Sequence, residues 1–172
     1  MPRLSGKLLW TFVVATLSGA CLHFLYTLFP SPVTAFFAPV NESLWEHIKL
    51  LFWPGAAAAV YLALRASGGE LACRLLCLEA ACAAMVGVGY VYHVVLGGTA
   101  LAFDLALYVV LMAAVFLLPG LLEGKLPRWV EELALPLALV LAGAILLFTF
   151  LPPDCIVFYD LSWAPSWARL PC

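Results

Sequence analysis

Charge is what this chain has least of. Only 10% of its 172 residues are Asp, Glu, Lys or Arg, and the net charge is -2. That balance offers no basic patch to follow a phosphate backbone, which excludes nucleic acid as a partner. No long polar or Ser-rich stretch interrupts the sequence, so there is no linker to a second, soluble domain, and no internal repeat is detectable. The chain also lacks a C-x-x-C pair, a glycine-rich phosphate loop and a G-x-S-x-G elbow. A redox dithiol, a nucleotide cradle and a serine-hydrolase nucleophile are therefore not written as local motifs. Neither H-x-x-x-H nor H-x-x-E-H occurs, which removes the paired zinc ligands that a single helix face can present.

Hydrocarbon is what the chain has in excess. Hydrophobic residues make up 66% of it and the mean hydropathy is +1.08, values that a soluble domain of this size does not tolerate. Five apolar runs of membrane-spanning length lie at about 8–29, 45–65, 71–96, 101–122 and 129–151. The connections are short and rich in Gly and Pro, as in Pro30-Ser31-Pro32, Gly97-Gly98 and Pro119-Gly120. The expected fold is all-α, a polytopic transmembrane bundle of about five helices. Residues 1–172 form one integral membrane domain with a tail at 152–172, and the lipid bilayer is its principal partner.

Orientation follows from the cations. Five spans put the termini on opposite sides. Arg3, Lys7, Arg65, Arg74, Lys125 and Arg128 lie on the N-terminal side, against Lys49 and Arg169 on the other. The expected placement is the cytoplasmic membrane, with the N-terminus in the cytoplasm and the C-terminus outside. A cleavable leader ending near Cys21 is the rival account of the first span. Apolar sequence continuing through His23 to Phe29 argues for a retained helix.

The densest polar cluster sits at the start of the second span, in PVNESLWEHIKLLFWP, residues 39–54. Beyond it, residues 50–64 are apolar but cover only about 22 Å, less than the ~30 Å of a bilayer core. The helix must therefore use its polar turns to cross. Ionisable side chains there cost roughly 2.5–3.5 kcal/mol each at the centre unless they face inward to partners. With the topology above, His23, Glu42, Glu46, His47, Tyr90, Tyr92, His93, Asp104, Asp154 and Asp160 gather at one membrane face. That group contains all three histidines and five of the ten carboxylates. On the helix surfaces, Thr16, Gly19, Ala20, His23 and Thr27 share a stripe, as do Glu79, Cys82, Val86, Tyr90 and His93. Asp104 and Tyr108 stack one turn apart.

Three histidines with nearby carboxylates are the inventory of a zinc site. His23, His47 and His93 are the candidate ligands, and Glu46 and Asp104 the candidate bases for a bound water. Asn41, Glu42, Ser43, Trp45, Lys49, Tyr92 and Asp160 would line the place of a ligand, such as an apolar or lipid molecule entering from the bilayer. Two blander readings compete. In one, Ser43-Leu44-Trp45-Glu46 is a capping box, Lys49 neutralises Glu46, and Trp45 and Trp53 anchor the helix at the interface. In the other, Glu79 is an intramembrane relay on an ion or small-ligand path. In the tail, Cys155 and Cys172 could close a disulfide loop of 18 residues, contributing roughly 3 kcal/mol in an oxidising compartment.

Several of these strings also carry a resemblance. His23-Phe24-Leu25-Tyr26 matches an H-F-x-Y, and residues 39–54 match a P-V-N-E-S-x-W-E-H-x-K-L-x-F-x-P block. Gly97 with Asp104, Phe148 to Pro153 as F-T-F-x-P-P, and Phe158 with Asp160 complete the set. Together they resemble a family of small bacterial integral membrane proteins of unknown function. The resemblance covers most of the chain, departs from the pattern in the tail LSWAPSWARLPC and at His93, and implies a fold rather than an activity.

Overall fold

The computed structural model describes residues 6–65 and 70–162, which contain helices and connections and no strand. In chain order they are α1 (Gly6–Leu28), α2 (Pro32–Phe37), α3 (Leu44–Ala63), α4 (Glu70–Gly89), α5 (Leu101–Leu117), α6 (Pro119–Leu122) and α7 (Arg128–Phe150). α4 runs on into a π-helical turn at Tyr90–Val95, and a 3-10 turn at Ile156–Phe158 follows α7. Four stretches are long and apolar enough to cross a membrane: Gly6–Leu28, Leu71–Val95, Leu101–Leu122 and Arg128–Phe150. The fold is an all-α bundle, as its composition requires. The expected pairing of Cys155 with Cys172 lies outside the described residues, because Cys172 does.

α3 is the helix missing from those four, and it is the centre of the bundle. It packs against α1, α4, α5 and α7, and its buried residues include Glu46 and Lys49 beside Ile48, Leu51 and Phe52. Its neighbours are apolar because they form the outside; α3 can be polar because they cover it. The shortfall of apolar length at residues 50–64 is thus met by protein rather than by lipid. Ile48, Leu51, Leu78, Met112, Val115 and Ile145 close the core around it.

Helix association in an apolar solvent relies on close packing more than on the hydrophobic effect. Gly19 of α1 shows how close. A methyl group added there would collide with the Leu50 carbonyl of α3 and the Tyr108 hydroxyl of α5. Leu50 lies four residues before Pro54, which has no N–H to give its carbonyl within the helix. The approach of α1 and the proline belong to one arrangement. Tyr108 is buried and donates its hydroxyl proton to the Thr16 carbonyl at 2.7 Å. Thr16, Gly19 and His23 of the expected α1 stripe face inward to varying degrees, while Ala20 and Thr27 are exposed.

The segment after Pro30 forms a short helix where the sequence suggested only a connection. Ser31 caps it: the serine hydroxyl accepts the Thr34 N–H at 3.1 Å and the Thr34 hydroxyl accepts the Ser31 N–H at 3.0 Å. Pro32 occupies the first turn, where a missing N–H costs nothing. Six residues are too few to hold a helix by themselves, so α2 depends on α3. Lys49 Nζ donates to the Ala35 and Ala38 carbonyls at 2.8 and 3.2 Å, and Trp53 Nε1 donates to the Phe36 carbonyl at 3.1 Å. Those are carbonyls that a helix end otherwise leaves unpaired. Trp53 also stacks on Phe36, and Trp45 packs against Phe148 and Phe158. Both tryptophans, expected as interfacial anchors, are half-buried and make these packing contacts.

Candidate metal centre

The ends of α1, α4 and α7 and the starts of α3 and α5 meet at one end of the bundle, bringing the polar residues of the sequence together. They fall into three groups with different chemistry.

The first group is closed. Glu46 Oε2 accepts from Lys49 Nζ at 2.5 Å and from the Val40 N–H at 2.9 Å. The Lys49 side chain is fully buried and that of Glu46 is 4% exposed. The Thr149 hydroxyl lies 3.3 Å from Glu46 Oε1 and 2.7 Å from the Ile145 carbonyl, sharing its one proton between them. Half of the expected capping box forms, since Ser43 Oγ accepts the Glu46 N–H at 3.2 Å. The other half does not. The Glu46 carboxylate turns to Val40 and Lys49, and the Ser43 N–H goes to Asn41 Oδ1 at 3.0 Å. A buried lysine attracts the carboxylate more strongly than a neutral backbone amide does. Glu46 therefore lies apart from the histidines, with its acceptor sites taken.

The second group is open. Glu42, in the loop before α3, places Oε2 3.3 Å from His47 Nε2 and Oε1 3.8 Å from His23 Nε2. One ligand atom from each of the three residues lies within 4.8 Å of the others. A tetrahedral zinc ion with bonds of 2.0–2.1 Å would need ligand atoms roughly 3.4 Å apart, close to the two distances from Glu42. His47 Nδ1 lies 2.7 Å from the Ser43 carbonyl. A carbonyl only accepts, so Nδ1 carries a proton and Nε2 is left for Glu42 or for a cation. This is the hydrogen bond that commonly fixes the tautomer of a metal-ligating imidazole. The His23 ring stands beside it, with centroids 5.5 Å apart, and its buried Nδ1 has no partner among the described residues. Glu42 is half-exposed. The hydrogen bond from His47 holds its carboxyl below the ordinary value near 4.5; partial burial opposes that shift, and the charges of His47 and His23 add to it.

The third group is a dyad. His93 Nε2 lies 2.7 Å from Asp104 Oδ1, and its Nδ1 lies 2.9 Å from the Gly98 carbonyl. The sequence placed His93 with the other two histidines as a ligand. In the fold, Glu42 stands third beside His23 and His47, and His93 is paired apart from them with Asp104. The π-helical turn explains the placement. The Leu96 N–H reaches back five residues to the Val91 carbonyl, which widens the last turn. Gly97 takes a positive φ of 67° and Gly98 lies under the Tyr92 ring, where a side chain would collide. The loop thereby folds back until the Gly98 carbonyl meets His93. Tyr92 stacks on Phe103 at 3.6 Å, and its hydroxyl accepts the Ala100 N–H at 3.2 Å.

The remaining expected residues form the surround. Leu161 donates its N–H to the Glu42 carbonyl at 3.4 Å, laying the chain after α7 against the loop of the open group. Asp160 accepts from the Ser162 backbone N–H at 2.8 Å. Sequence reasoning missed the carbonyls of Ser43 and Gly98, which carry no side-chain signature. It also missed Thr149, which it could have found as the one hydroxyl of α7, in the apolar stretch beyond its charged first turns.

Together, four apolar crossing-length helices around a polar centre form a structure compatible with a multi-pass membrane protein. The chain belongs to a family of unknown function, DUF6512, whose model matches residues 4–163. No curated protein matches it, and no solved structure does.

Proposed function

We propose that the open group binds a divalent metal ion, with zinc the best match to its donors. His23, Glu42 and His47 would be the ligands and a fourth position would remain for water or substrate. The observation that carries this reading is the His47 tautomer: the Ser43 carbonyl holds the proton on Nδ1 and aims Nε2 at Glu42, beside His23. A proton on Nε2 makes the contact with Glu42 an ion pair, and a metal ion would take the place of that proton. The chemistry available to a two-histidine, one-carboxylate site with an open position is hydrolysis. Its place at a helix end would admit an apolar or lipid substrate from the bilayer. The cation bias of six to two in the sequence puts this end outside the cytoplasm, with α3 as the fifth span.

The test is metal content after purification in detergent. Near one equivalent of zinc is expected, falling below a tenth of that in each of His23→Gln, Glu42→Gln and His47→Gln. Wild-type protein that takes up no divalent metal from zinc-supplemented buffer would end the metal reading. A reporter fused after Cys172 should be active outside the cytoplasm; cytoplasmic activity would reverse the orientation.

A further inference from the structure

α3 is wrapped by a ring of neighbours that is complete at one end of the bundle. Around it the packing runs from α4 to α5, α5 to α1, α1 to α2, α2 to α7 and α7 back to α4. Four of these are long helices, but α2 has six residues and spans about 9 Å. It closes the ring at the histidine end. Gly55 marks the α4 side of α3, since a methyl group added there would strike Leu78. At about 100° per residue, Lys49, Trp53, Ala57, Val60, Tyr61 and Leu64 fall within about 60° of the point opposite Gly55. Lys49 and Trp53 bond to carbonyls of α2. Ala57, Val60, Tyr61 and Leu64, further along that face, are exposed among the described residues. Beyond α2, this face of α3 is the floor of an apolar groove between α1 and α7.

The far end of the groove carries a charge. The Arg65 guanidinium carbon lies 5.2 Å from the centroid of the Tyr61 ring, a cation–π contact that holds the cation at the rim. Ala59 of α3 and Ala134 of α7 share one buried cluster. Arg65 lies six residues beyond Ala59, and Trp129 five residues before Ala134, so the two stand at nearly the same level. Trp129 is 65% exposed, as tryptophans of the headgroup region are. From Trp53 to Arg65 is twelve residues, about 18 Å of helix. The hydrocarbon of one leaflet is about 15 Å deep, half of a bilayer core.

We propose that this groove binds one anionic phospholipid from the leaflet at the Arg65 end. An acyl chain lies along Ala57, Val60 and Leu64 as far as the stack of Trp53 on Phe36, and the phosphate pairs with Arg65. The depth of the groove selects a lipid of one leaflet, and the cation at its rim selects a negative headgroup. A second copy of the chain fits less well. A two-fold contact along the membrane normal would set two recessed floors face to face and bring two Arg65 charges together. The proposal is independent of the metal reading, which concerns the other end of the bundle.

Native mass spectrometry of the detergent-purified protein tests it, with phosphatidylglycerol and phosphatidylcholine of identical chains offered in equal amounts. Wild type should retain one phosphatidylglycerol, bound roughly fivefold or more tightly than phosphatidylcholine. Arg65→Gln should bring the two lipids within twofold of each other. Val60→Trp fills the floor and should lower retention of both lipids at least fivefold. Arg128→Gln removes another exposed cation from the same end and should leave the preference within twofold of wild type. Equal retention of the two lipids by wild type would overturn the proposal, as would an undiminished preference in Arg65→Gln. An equal loss in Arg128→Gln would reduce the effect to general surface charge and overturn it too. A lipid-free wild-type dimer that Val60→Trp dissociates would assign the face to a second copy instead. Arg65→Gln and Val60→Trp are read separately, so misfolding of one leaves the other to decide.

Discussion

Glu42 and Glu46 are one helical turn apart in sequence, at the same end of the same bundle, and the fold treats them as opposites. Glu46 is sealed. Its carboxylate meets a lysine ammonium and a backbone N–H, and the lysine spends its other protons on two carbonyls of α2. Glu42 is half-exposed and faces two imidazole nitrogens at 3.3 and 3.8 Å. A buried pair with every group satisfied serves as a fixed point of structure, whereas two lone-pair donors and a carboxylate around a gap suit a cation. What divides them is α2. Its C-terminal carbonyls fix Lys49, and Lys49 decides which carboxylate is neutralised from within the protein.

The sharpest break in this comparison would come from Lys49. Lys49→Ala leaves Glu46 buried without its cation and frees the carbonyls of Ala35 and Ala38. A loss of about 3–5 kcal/mol is expected in reversible denaturation from mixed micelles, together with release of α2, detectable as faster proteolysis near residues 30–40. A loss below about 1 kcal/mol would mean that the sealed pair is not a fixed point.

The exchange between the two glutamates is the next largest effect. Glu46→Gln should lower stability by about 2–4 kcal/mol, because the Lys49 charge loses its partner, while the folded fraction keeps its metal. Glu42→Gln should do the reverse, losing the metal; with both proteins stripped of metal, its stability change should be no more than about 1 kcal/mol, since its contacts are half-exposed. Equal effects of the two substitutions on stability and on metal would erase the distinction.

Thr149→Val tests the far side of the sealed pair. It removes a shared hydrogen bond rather than a charge, so about 0.5–1.5 kcal/mol is expected, with no change in metal content.

The smallest effect is the acid limb. The Glu42 carboxyl titrates below its ordinary value near 4.5, chiefly through the hydrogen bond from His47. Its contribution is present above the unfolded value and is lost as pH falls through the lower, folded one. The group is half-exposed, so screening limits that contribution to about 1 kcal/mol or less. Melting temperatures of metal-free wild type and Glu42→Gln should therefore converge as pH falls below the ordinary carboxylate range. Protons also compete with a metal for the imidazoles, so zinc retention in the wild type should fall as pH drops from about 7 to 5.

Much of the outline was legible before any coordinates. The hydropathy of the chain required helices. The lengths of the apolar runs gave their bounds to within a few residues, and the polar block at residues 39–54 marked where they would converge. The Lys49–Glu46 pairing was also open to reading, because a spacing of three on a helix brings long side chains of opposite charge together. Within the site, His23, His47 and Glu42 were all identified as polar residues of the same end; the fold groups these three and pairs His93 with Asp104. Helical periodicity assigns faces by assuming 3.6 residues per turn, and the π-helical turn at Tyr90–Val95 breaks that assumption just where His93 lies.

The sequence alone determined that this is an all-α bundle, because apolar runs of about twenty residues satisfy every backbone group as helices, whereas barrel strands would need runs of about ten with alternating polarity. It also determined which end of the bundle gathers the three histidines, because the apolar runs leave His23, His47 and His93 near helix ends on one side. The tertiary structure decided which charges cancel and which remain open. That depends on backbone carbonyls, those of Ser43, Ala35, Ala38 and Gly98, and every residue carries the same carbonyl. Only folding places one of them 2.7 Å from an imidazole nitrogen and so selects which atom of His47 faces Glu42.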